Sequence, residues 1–545
     1  MRCSPNRRPD LLAIISKQAY IHSGWSRLVA LFTKRGDFGF FEMIFSRRKF
    51  LQLSTATALS TLYPRLARAD SELCRKLASD PLRPQYHLLP AHNWMNDPNG
   101  PIFYRGRYHM FHQYNPQAAV WGNMNWAHAT SDDMIHWHHE PIALSPTPGG
   151  PDQNGVFSGS AVLNDGISTM IYTGVQPPAK DSEATLKDGV HTWRETQCLA
   201  TAQDNALRTW KKLQQPVIAN PPAGLEVTGF RDPCLWREGD RWMLIVGSGT
   251  REKGGLILLY SSPDLRKWTY LHPLVEGSAS TKESTNPVDT GDMWECPDFF
   301  PLGNKHVLLI STEGKVRWKV GTYNNQRFTP EKEGVVDWGS YYAAKTMLDR
   351  DGNRILWGWI PETRPDADLI AAGWAGVMSL PRVMSLTNRD ELQTRVASAT
   401  SILRGTHTHA RGKEAASLRV HDLAAELDLH IQPDPTEFTL RLDSDAGEFA
   451  SIVCTNRERT RELRVSNFKA PLPGPPGSTV HLHIFLDGSV LELRANEIAF
   501  LTARIYQIPT GPIRLNIEGN AKLTSADVWQ VNPISKDRLT SSYCK

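Results

Sequence analysis

The sequence predicts an all-β protein in which a five-bladed β-propeller is followed by a C-terminal β-sandwich. Its composition, with Gly 39, Pro 37 and Trp 17 among 545 residues, indicates many short strands joined by tight turns. One strand–turn–strand arrangement recurs five times between Asn93 and Trp359, and period-two alternation follows in the last third of the chain. A chain of this length exceeds one compact core, so we expect more than one domain.

The first 69 residues resemble an export leader. They hold 12 Lys and Arg against 3 Asp and Glu. Arg47 and Arg48 precede a short apolar run, and Ala67–Ala69 is an Ala-x-Ala pattern of the kind that signal peptidases cleave. These parts resemble a twin-arginine signal with cleavage before Asp70, which predicts a periplasmic or secreted protein. Because such signals begin close to the arginine pair, we place the start of translation at Met43.

The charge of the remaining chain excludes some classes of partner. Beyond the leader there are 49 basic and 54 acidic residues. This balance provides no basic surface for nucleic acid and no polybasic patch for a membrane once the signal is cleaved. We therefore expect a neutral small molecule or polymer as the partner. The oligomeric state is not predicted.

Neither the cysteines nor the histidines of the sequence indicate a metal site, and no cofactor is expected. Six cysteines beyond the leader have wide, irregular spacing: Cys74, Cys198, Cys234, Cys296, Cys454 and Cys544. This spacing fits neither a disulfide framework nor a zinc site, so we expect most of the thiols to be buried and free. His136, His138 and His139 flank Trp137 on an outer strand or turn, where surface histidines or histidines with satisfied hydrogen bonds are the simpler interpretation.

The repeat predicts the propeller over residues 86–382. Its apolar strands are Tyr108–Tyr114, Ser168–Gly174, Arg241–Gly247, Lys305–Ser311 and Arg354–Trp359. Each strand follows a turn glycine, namely Gly106, Gly166, Gly239, Gly303 and Gly352. The separations of 60, 73, 64 and 49 residues suit one four-stranded blade per repeat. Three repeats also carry a tryptophan after the third strand, at Trp137, Trp210 and Trp268.

The propeller pattern stops after Arg382. Residues 383–405 are interpreted as a connector with some helical character. Beyond it, the segments Glu437–Leu442, Val480–Leu486 and Ser489–Arg494 alternate with period two and are separated by turns. This alternation predicts a β-sandwich over residues 406–545.

Three carboxylates occupy equivalent positions in three repeats. Asp97, Asp232 and Glu295 lie 9, 7 and 8 residues before the turn glycine of their own repeat. First strands converge on the axis of a propeller, so these acids are expected to meet in one funnel. Taken singly, each acid is more simply interpreted as structural, because Asp97–Gly100 suits a β-turn and Asp232-Pro233 suits the end of a strand. Three carboxylates at equivalent positions of the repeat favour a site for glycoside hydrolysis, which needs two carboxylates with separate roles.

The motifs around these acids carry a specific resemblance. They are Trp94–Gly100, Gln113–Pro116, Trp121–Gly122, Phe157–Ser160, Phe230–Pro233, Trp294–Asp298 and Gly373–Gly376. In this order they resemble glycoside hydrolase family 32, the β-fructofuranosidases that include invertases, inulinases, levanases and fructan exohydrolases, over residues 86–545. The last two motifs, with Ala119–Asn123, resemble the plant-type branch of the family.

The resemblance implies a retaining enzyme that releases terminal β-D-fructofuranosyl units from sucrose, inulin or levan. It implies that Asp97 is the nucleophile, Glu295 the general acid/base and Asp232 a stabiliser of the transition state. Polar contacts to the fructosyl unit would come from Asn96, Gln113, Ser158 and Arg231. An apolar rim would come from Trp94, Trp121 and Phe157. Phe157 replaces the Trp of plant-type enzymes, a change expected to alter the width of the site and not the chemistry.

Physical reasoning extends this expectation and leaves two alternatives. Glu295, crowded by other carboxylates, is expected to have a raised pKa, whereas Asp97 has to stay ionised to attack. A fructosyltransferase would use the same three acids, with a sugar in place of water as the acceptor. A non-catalytic carbohydrate-binding protein is disfavoured because all three acids are present.

Overall fold

The computed structural model describes residues 25–34, 37–46, 72–177, 185–187, 191–250, 254–277, 293–457 and 460–535. The chain divides into two compact units, Met1–Glu72 and Leu73–Lys545. In the first unit, Trp25–Lys34 and Asp37–Ser46 pair as an antiparallel hairpin. The arginine pair, the Ala-x-Ala pattern and the expected cleavage site lie outside the described residues.

The second unit contains five antiparallel four-stranded blades, which confirms the predicted propeller. Blade I contains Asn93–Tyr104, Arg107–Asn115, Asn125–Ser131 and Trp137–Leu144. Blade II contains Gly155–Asn164, Ile167–Gln176, His191–Ala202 and Trp210–Lys212, with Thr185–Lys187 beside its third strand. Blade III contains Val227–Glu238, Arg241–Thr250, Gly254–Ser262 and Thr269–Glu276. Blade IV contains Glu295–Leu302, Lys305–Thr312, Lys315–Asn324 and Arg327–Val335. Blade V contains Tyr342–Leu348, Arg354–Ile360, Arg382–Leu386 and Leu392–Val396.

Packing between neighbouring blades explains the sequence repeat. Each predicted apolar segment forms the second strand of a blade, and its turn glycine has a positive φ of 59–84°. Five apolar clusters lie between successive blades, so the second strands are buried on both faces. Each repeated tryptophan packs into the cluster shared with the preceding blade, as Trp137 does against Trp357 at 5.6 Å between ring centroids.

The connector prediction is wrong over most of its length. Arg382–Leu386 and Leu392–Val396 are the outer strands of blade V, and between them and the sandwich lies the 3₁₀ helix Ser398–Leu403. Their buried positions alternate with exposed ones, but Arg382 and Thr394 occupy two of the buried positions. Polar residues on the inner face hide a strand from any search for apolar alternation.

A short segment joins blade V to blade I. Trp374–Ala375 pairs in parallel with Asn93–Tyr104 of blade I, and Val377–Met378 pairs with Arg354–Ile360 of blade V. Between them, Gly376 has φ +82°, and a Cβ there would lie 1.9 Å from the backbone oxygen of Met95. Only glycine fits this close approach, which gives the Gly373–Gly376 motif a structural function.

The predicted sandwich is also confirmed. Its strands are Arg404–Arg411, Arg419–Val420, Ala424–Ser444, Gly447–Arg457, Thr460–Val465, Phe468–Pro471, Val480–Asp487, Val490–Ala495, Ala499–Arg504 and Ile513–Val531. The long strand Ala424–Ser444 pairs with Val480–Asp487 in its first half and with Gly447–Arg457 in its second half. One apolar core fills the space between the layers.

Buried charged groups join the propeller to the sandwich. Arg382 of blade V donates to Glu492 at 2.5 Å and to Asp337 at 2.9 Å, and all three side chains are fully buried. His87 contacts Asp487 at 2.7 Å and Glu492 at 3.0 Å. Breaking one partner of such a network leaves an uncompensated buried charge, so the two domains hold one fixed arrangement.

Helices are few in the described chain. They are the helix over residues 72–79, the helix Asp366–Ala372 and the 3₁₀ helices Ser398–Leu403 and Gly412–Ser417. In the described ranges, no helix combines the length and the apolar character needed to cross a membrane. The expected free, buried thiols are found at Cys198, Cys234, Cys296 and Cys454, whereas Cys74 is disulfide-bonded. Cys544 lies outside the described residues.

Candidate active site

Every blade has a β-bulge at the same level of its first strand. The pairing with the second strand shifts within Met95–Pro98, Phe157–Gly159, Arg231–Cys234, Glu295–Asp298 and Tyr342–Lys345. A bulge removes one ladder bond and turns a side chain in a new direction, and it also accepts a proline that donates no hydrogen bond. The Asp97-Pro98 and Asp232-Pro233 pairs are therefore bulges within strands and not the ends of strands.

These bulges bring the predicted carboxylates together at one pocket. Its empty space, including the part open to solvent, is about 310 Å³. It is lined by Asn96, Asp97, Gln113, Trp121, Met124, Phe157, Ser158, Arg231, Asp232 and Glu295. These residues come from blades I to IV and include nine of the ten predicted site residues. The three carboxylate side chains are almost entirely buried, with exposures of 3–7%.

Three donors hold the carboxylate of Asp97. The Ser158 hydroxyl donates to Oδ2 at 2.5 Å, and the Asn96 amide donates to Oδ1 at 3.0 Å. The Cys296 thiol donates to Oδ2 at 3.3 Å. Because the donors come from three blades, the orientation of Asp97 depends on the assembled ring.

Glu295 is held by one cation and one phenol. The Arg231 guanidinium donates to Oε1 through Nη2 at 2.5 Å and Nε at 3.0 Å, and the Tyr342 hydroxyl donates to Oε2 at 3.0 Å. Arg231 also contacts Glu195 at 3.2 Å, and the other oxygen of Glu195 accepts the backbone N–H of Phe230 at 2.6 Å. Glu195 therefore fixes the guanidinium that contacts Glu295.

Asp232 is the most constrained of the three acids. Its φ is +64°, a left-handed conformation that is uncommon outside glycine. Its Oδ2 accepts the backbone N–H of Cys296 at 2.9 Å, and its own N–H donates to Thr173 at 2.9 Å. Burial raises the pKa of Asp232, and the charge of Asp97 raises it further, against the opposing effect of Arg231.

One predicted rim residue lies elsewhere. Trp94 does not line the pocket but is buried behind it, where its indole N–H donates to Asn96 at 2.8 Å and its ring contacts Trp359 at 5.7 Å. The rim is formed by Trp121, which is 36% exposed, and by Phe157, with ring centroids 6.0 Å apart. Trp94 thus positions Asn96 and is not part of the apolar rim.

The sequence analysis missed four residues at the site: Met124, Glu195, Cys296 and Tyr342. Tyr342 lies at the bulge of blade V, at the level where the other four blades carry their pocket residues. The repeat therefore could have predicted a pocket residue at this position. Cys296 belongs to the motif Trp294–Asp298, and burial raises the pKa of its thiol well above the usual range. Glu195 lies in a third strand, where the repeat predicts no pocket residue, and Met124 lies outside the strands.

Comparisons with known proteins address the family of the chain. The model of the glycosyl hydrolases family 32 N-terminal domain matches residues 87–395, and that of the family 32 C-terminal domain matches residues 390–530. The chain is 34% identical to a sucrose-6-phosphate hydrolase of Escherichia coli, over 78% of this chain and 90% of the relative. It is 32% identical to a raffinose invertase of the same species, over 82% and 95% of the two chains. The crystal structure of fructan 1-exohydrolase IIa from Cichorium intybus matches with a TM-score of 0.70 and 26% identity, covering 83% of this chain and 98% of that one.

Proposed function

Because the chain belongs to glycosyl hydrolases family 32, it is a glycosidase, and we propose that it releases terminal β-D-fructofuranosyl units from sucrose and fructans with retention of configuration. The observation that carries the proposal is the convergence of Asp97, Asp232 and Glu295 on one small pocket. Retaining hydrolysis needs a nucleophile and a proton donor on the same bond, and the pocket offers both.

Asp97 is the proposed nucleophile. Its oxygens are oriented by Ser158, Asn96 and Cys296, so attack on the anomeric carbon requires little rearrangement. As the new carbon–oxygen bond forms, the bond to the leaving sugar breaks, and the leaving oxygen takes a proton from Glu295. The products of this step are a fructosyl-enzyme and the free leaving sugar.

Glu295 is the proposed acid and then the base. In the second step its carboxylate takes a proton from water, the water oxygen attacks the anomeric carbon, and Asp97 leaves. In the structure, the Tyr342 hydroxyl donates to one oxygen of Glu295 and the Arg231 guanidinium to the other, which orients the carboxylate for both steps. The raised pKa expected for Glu295 stays a prediction.

Asp232 and Gln113 are the proposed fructose-binding groups. Asp232 lines the pocket, so its carboxyl can form a hydrogen bond to a sugar hydroxyl. Gln113 donates to the backbone oxygen of Val156 at 2.9 Å, and its buried Oε1 has no partner among the described residues. A fructose hydroxyl would satisfy that acceptor.

Product analysis tests the reaction and its acceptor. The enzyme is incubated separately with sucrose, sucrose 6-phosphate, inulin and levan, and released fructose is counted against new oligomers. We expect fructose as the main product and retention of configuration in the first product formed. Oligomers as the main product would assign the chain as a fructosyltransferase, and inversion would contradict Asp97 as a nucleophile.

Trapping separates the roles of the two principal acids. Asp97→Asn is expected to lose several orders of magnitude in kcat on every substrate, because an amide forms no covalent intermediate. Glu295→Gln with an activated aryl fructofuranoside is expected to accumulate the fructosyl-enzyme, because the first step then needs little protonation. Mass spectrometry should find one added fructosyl unit on the peptide that contains Asp97, whereas an adduct on Asp232 would exchange the proposed roles.

Azide provides the matched control for this pair of variants. An anionic nucleophile needs no general base, so azide is expected to restore part of the turnover of Glu295→Gln and none of that of Asp97→Asn. Rescue of both variants, or of Asp97→Asn alone, would contradict the assignment.

A further inference from the structure

A histidine-rich surface covers one face of the sandwich and shares no residue with the pocket. We call it the histidine face, and its members are Glu426, Asp428, His430, His481, His483, His407, His409, Asp527 and Trp529. They lie on four neighbouring strands at opposite positions of the ladder, as in the pairs His430–His481, Asp428–Asp527 and Asp527–His409. The alternate residues Leu427, Leu429 and Leu482 are fully buried, so this face points away from the sandwich core.

Three of these side chains converge on one point. His481 Nε2 lies 2.8 Å from Asp428 Oδ1, and His430 Nε2 lies 3.5 Å from the same oxygen. One ligand atom from each of the three residues falls within 4.8 Å of the other two. The side chains are 24–44% exposed, so water reaches the point at which they converge.

We propose that Asp428, His430 and His481 form a binding site for a divalent transition-metal ion, with Zn²⁺ as the representative of the class. Two imidazoles and one carboxylate are a ligand set that zinc takes with water in the fourth position. Bonds of about 2.0–2.1 Å set tetrahedral donor atoms about 3.3 Å apart. The separations of 2.8 and 3.5 Å bracket that distance, so the ion would replace the hydrogen bond between Asp428 and His481.

Some adjustment of the two rings is required. His430 and His481 are stacked with centroids 4.5 Å apart and an interplanar angle of 1°. An ion lies in the plane of each imidazole that binds it, so the rings have to tilt towards one another. Their partial exposure leaves room for this tilt, which is a rotation about side-chain bonds and does not move the strands.

Close pairing accounts for the neighbouring groups and for Asp428 with His481, but not for His430. Glu426 is bound by Arg404 at 2.6 Å and by His483 at 2.7 Å. Asp527 lies 2.8 Å from His407 Nε2 and 2.9 Å from His409 Nδ1, so both of those imidazoles have a hydrogen-bonding partner. At 3.5 Å, in contrast, His430 is too far from Asp428 for a strong hydrogen bond. A shared ion would bind His430 as closely as it binds Asp428 and His481.

The consequence would be structural and separate from catalysis. The ligands come from the neighbouring strands Ala424–Ser444 and Val480–Asp487, so the ion would join them across the sheet. An ion that binds the folded state alone raises stability by mass action. We expect Zn²⁺ to raise the melting temperature while sucrose hydrolysis in the native range stays unchanged.

Metal competition on the full-length, untagged protein tests the site. The protein is treated with a chelator, and Zn²⁺ is titrated in competition with a chromophoric chelator. Asp428→Asn, His430→Gln and His481→Gln should each weaken the tightest site by more than about 100-fold, because loss of even an outer-shell partner commonly costs 10–100-fold. Co²⁺ should give the visible absorption of a tetrahedral ion with N and O ligands, and each variant should lose it.

Two comparisons make the outcome decisive. His421→Gln changes an exposed histidine of the same domain outside the histidine face and should bind Zn²⁺ like the parent protein. Unchanged sucrose hydrolysis shows that the variants are folded. Loss of binding in a His407→Gln/His409→Gln double variant, with binding retained in His430→Gln, would overturn the assignment in favour of Asp527. Equal affinity in the parent and all three ligand variants would overturn the site altogether.

Discussion

At the scale of single residues, the pocket depends on side chains that position other side chains. Trp94 holds Asn96, Asn96 holds Asp97, and Glu195 holds Arg231, which in turn contacts Glu295. Each contact is buried, so removing one donor or acceptor leaves its partner unsatisfied at a cost of about 1–3 kcal/mol. Activity is therefore expected to respond to residues that do not touch the sugar.

Glu195→Gln tests this dependence. The amide removes the charge that faces Arg231 and sets a donor against a donor, so we expect kcat/KM to fall about 10–100-fold, in line with about 1.5–3 kcal/mol for a charged hydrogen bond. The pH profile of kcat should shift as well, because Arg231 contacts Glu295. Steady-state kinetics across pH measures both effects.

Glu238→Gln is the matched control for Glu195→Gln. Glu238 accepts the Tyr323 hydroxyl at 2.9 Å, outside the pocket. It should keep the kinetics of the parent protein. A Glu195→Gln enzyme with the parent kcat/KM and pH profile would show that Arg231 needs no fixed partner.

At the scale of elements, the first strands hold the pocket residues in position because the second strands pack closely against them. A Cβ at Gly247, in the second strand of blade III, would lie 2.4 Å from the backbone oxygen of Trp294 and 3.1 Å from that of Arg231. Arg231 lines the pocket, and Trp294 directly precedes the pocket residue Glu295. The glycine thus sets the separation between blades III and IV at the level of Glu295.

Gly247→Ala is expected to lower both stability and activity. Overpacking costs about 1–3 kcal/mol, and the required backbone shift would displace Arg231 and Glu295, so we expect a lower melting temperature and a loss of at least about tenfold in kcat. Gly239→Ala in the same blade is the control. Its Cβ meets open space at φ +59°, so it should cost about 1–2 kcal/mol of conformational strain and leave kcat unchanged. Equal kcat in the two variants would contradict the packing argument.

At the scale of the whole molecule, the sandwich supports the propeller and contributes no described residue to the pocket. The contact between the domains centres on His87, Arg382, Glu492 and Asp487, all buried. Burial alone would lower the pKa of His87, but its hydrogen bonds to Asp487 and Glu492 raise it to about 9. Burial alone would raise the pKa of Glu492, but the charge of Arg382 and the bond to His87 lower it to about 2.

These shifts predict a window of pH for stability. The contribution of His87 is complete below its ordinary pKa of 6.5 and is lost as the pH rises to about 9. The contribution of Glu492 is complete above its ordinary pKa of 4.5 and is lost as the pH falls to about 2. We expect the two contributions to be greatest together between pH 4.5 and 6.5. Thermal unfolding across pH should show a decline from 6.5 to 9 that is flatter in His87→Gln, and an equal decline in both proteins would contradict it.

We propose that the leader directs export by the twin-arginine route. In a bacterial host with that pathway, the double variant Arg47→Lys/Arg48→Lys should accumulate as precursor in the cytoplasm, because the arginine pair is what distinguishes such signals. Arg65→Lys changes a leader arginine outside the pair and should be exported normally. Cell fractionation and amino-terminal sequencing measure the outcome, with the mature chain expected to begin at or near Asp70. Normal export of the double variant would refute the route.

The local pattern of the sequence determined the propeller, the sandwich and the position of the three acids. Turn glycines such as Gly106 and the second strands after them recur in register, and that register alone brings Asp97, Asp232 and Glu295 to one level of the ring. Likeness to the plant-type branch and the route of export stay predictions. Both depend on features that the fold does not report.

Only the tertiary structure decided which residues meet across blades. The outer strands of blade V carry Arg382 on their inner face, so a search for apolar alternation does not detect them. The structure shows why a charged residue is tolerated there, because Glu492 of the sandwich pairs with it. Glu195 and Tyr342 reach the pocket through contacts with residues 36 and 47 positions away. The alternation of apolar and polar residues and the choice of turn residues depend on positions close together in the chain, so the sequence predicts them. The pairing of buried polar groups depends on distances between elements, and those distances are set only when the ring of blades closes.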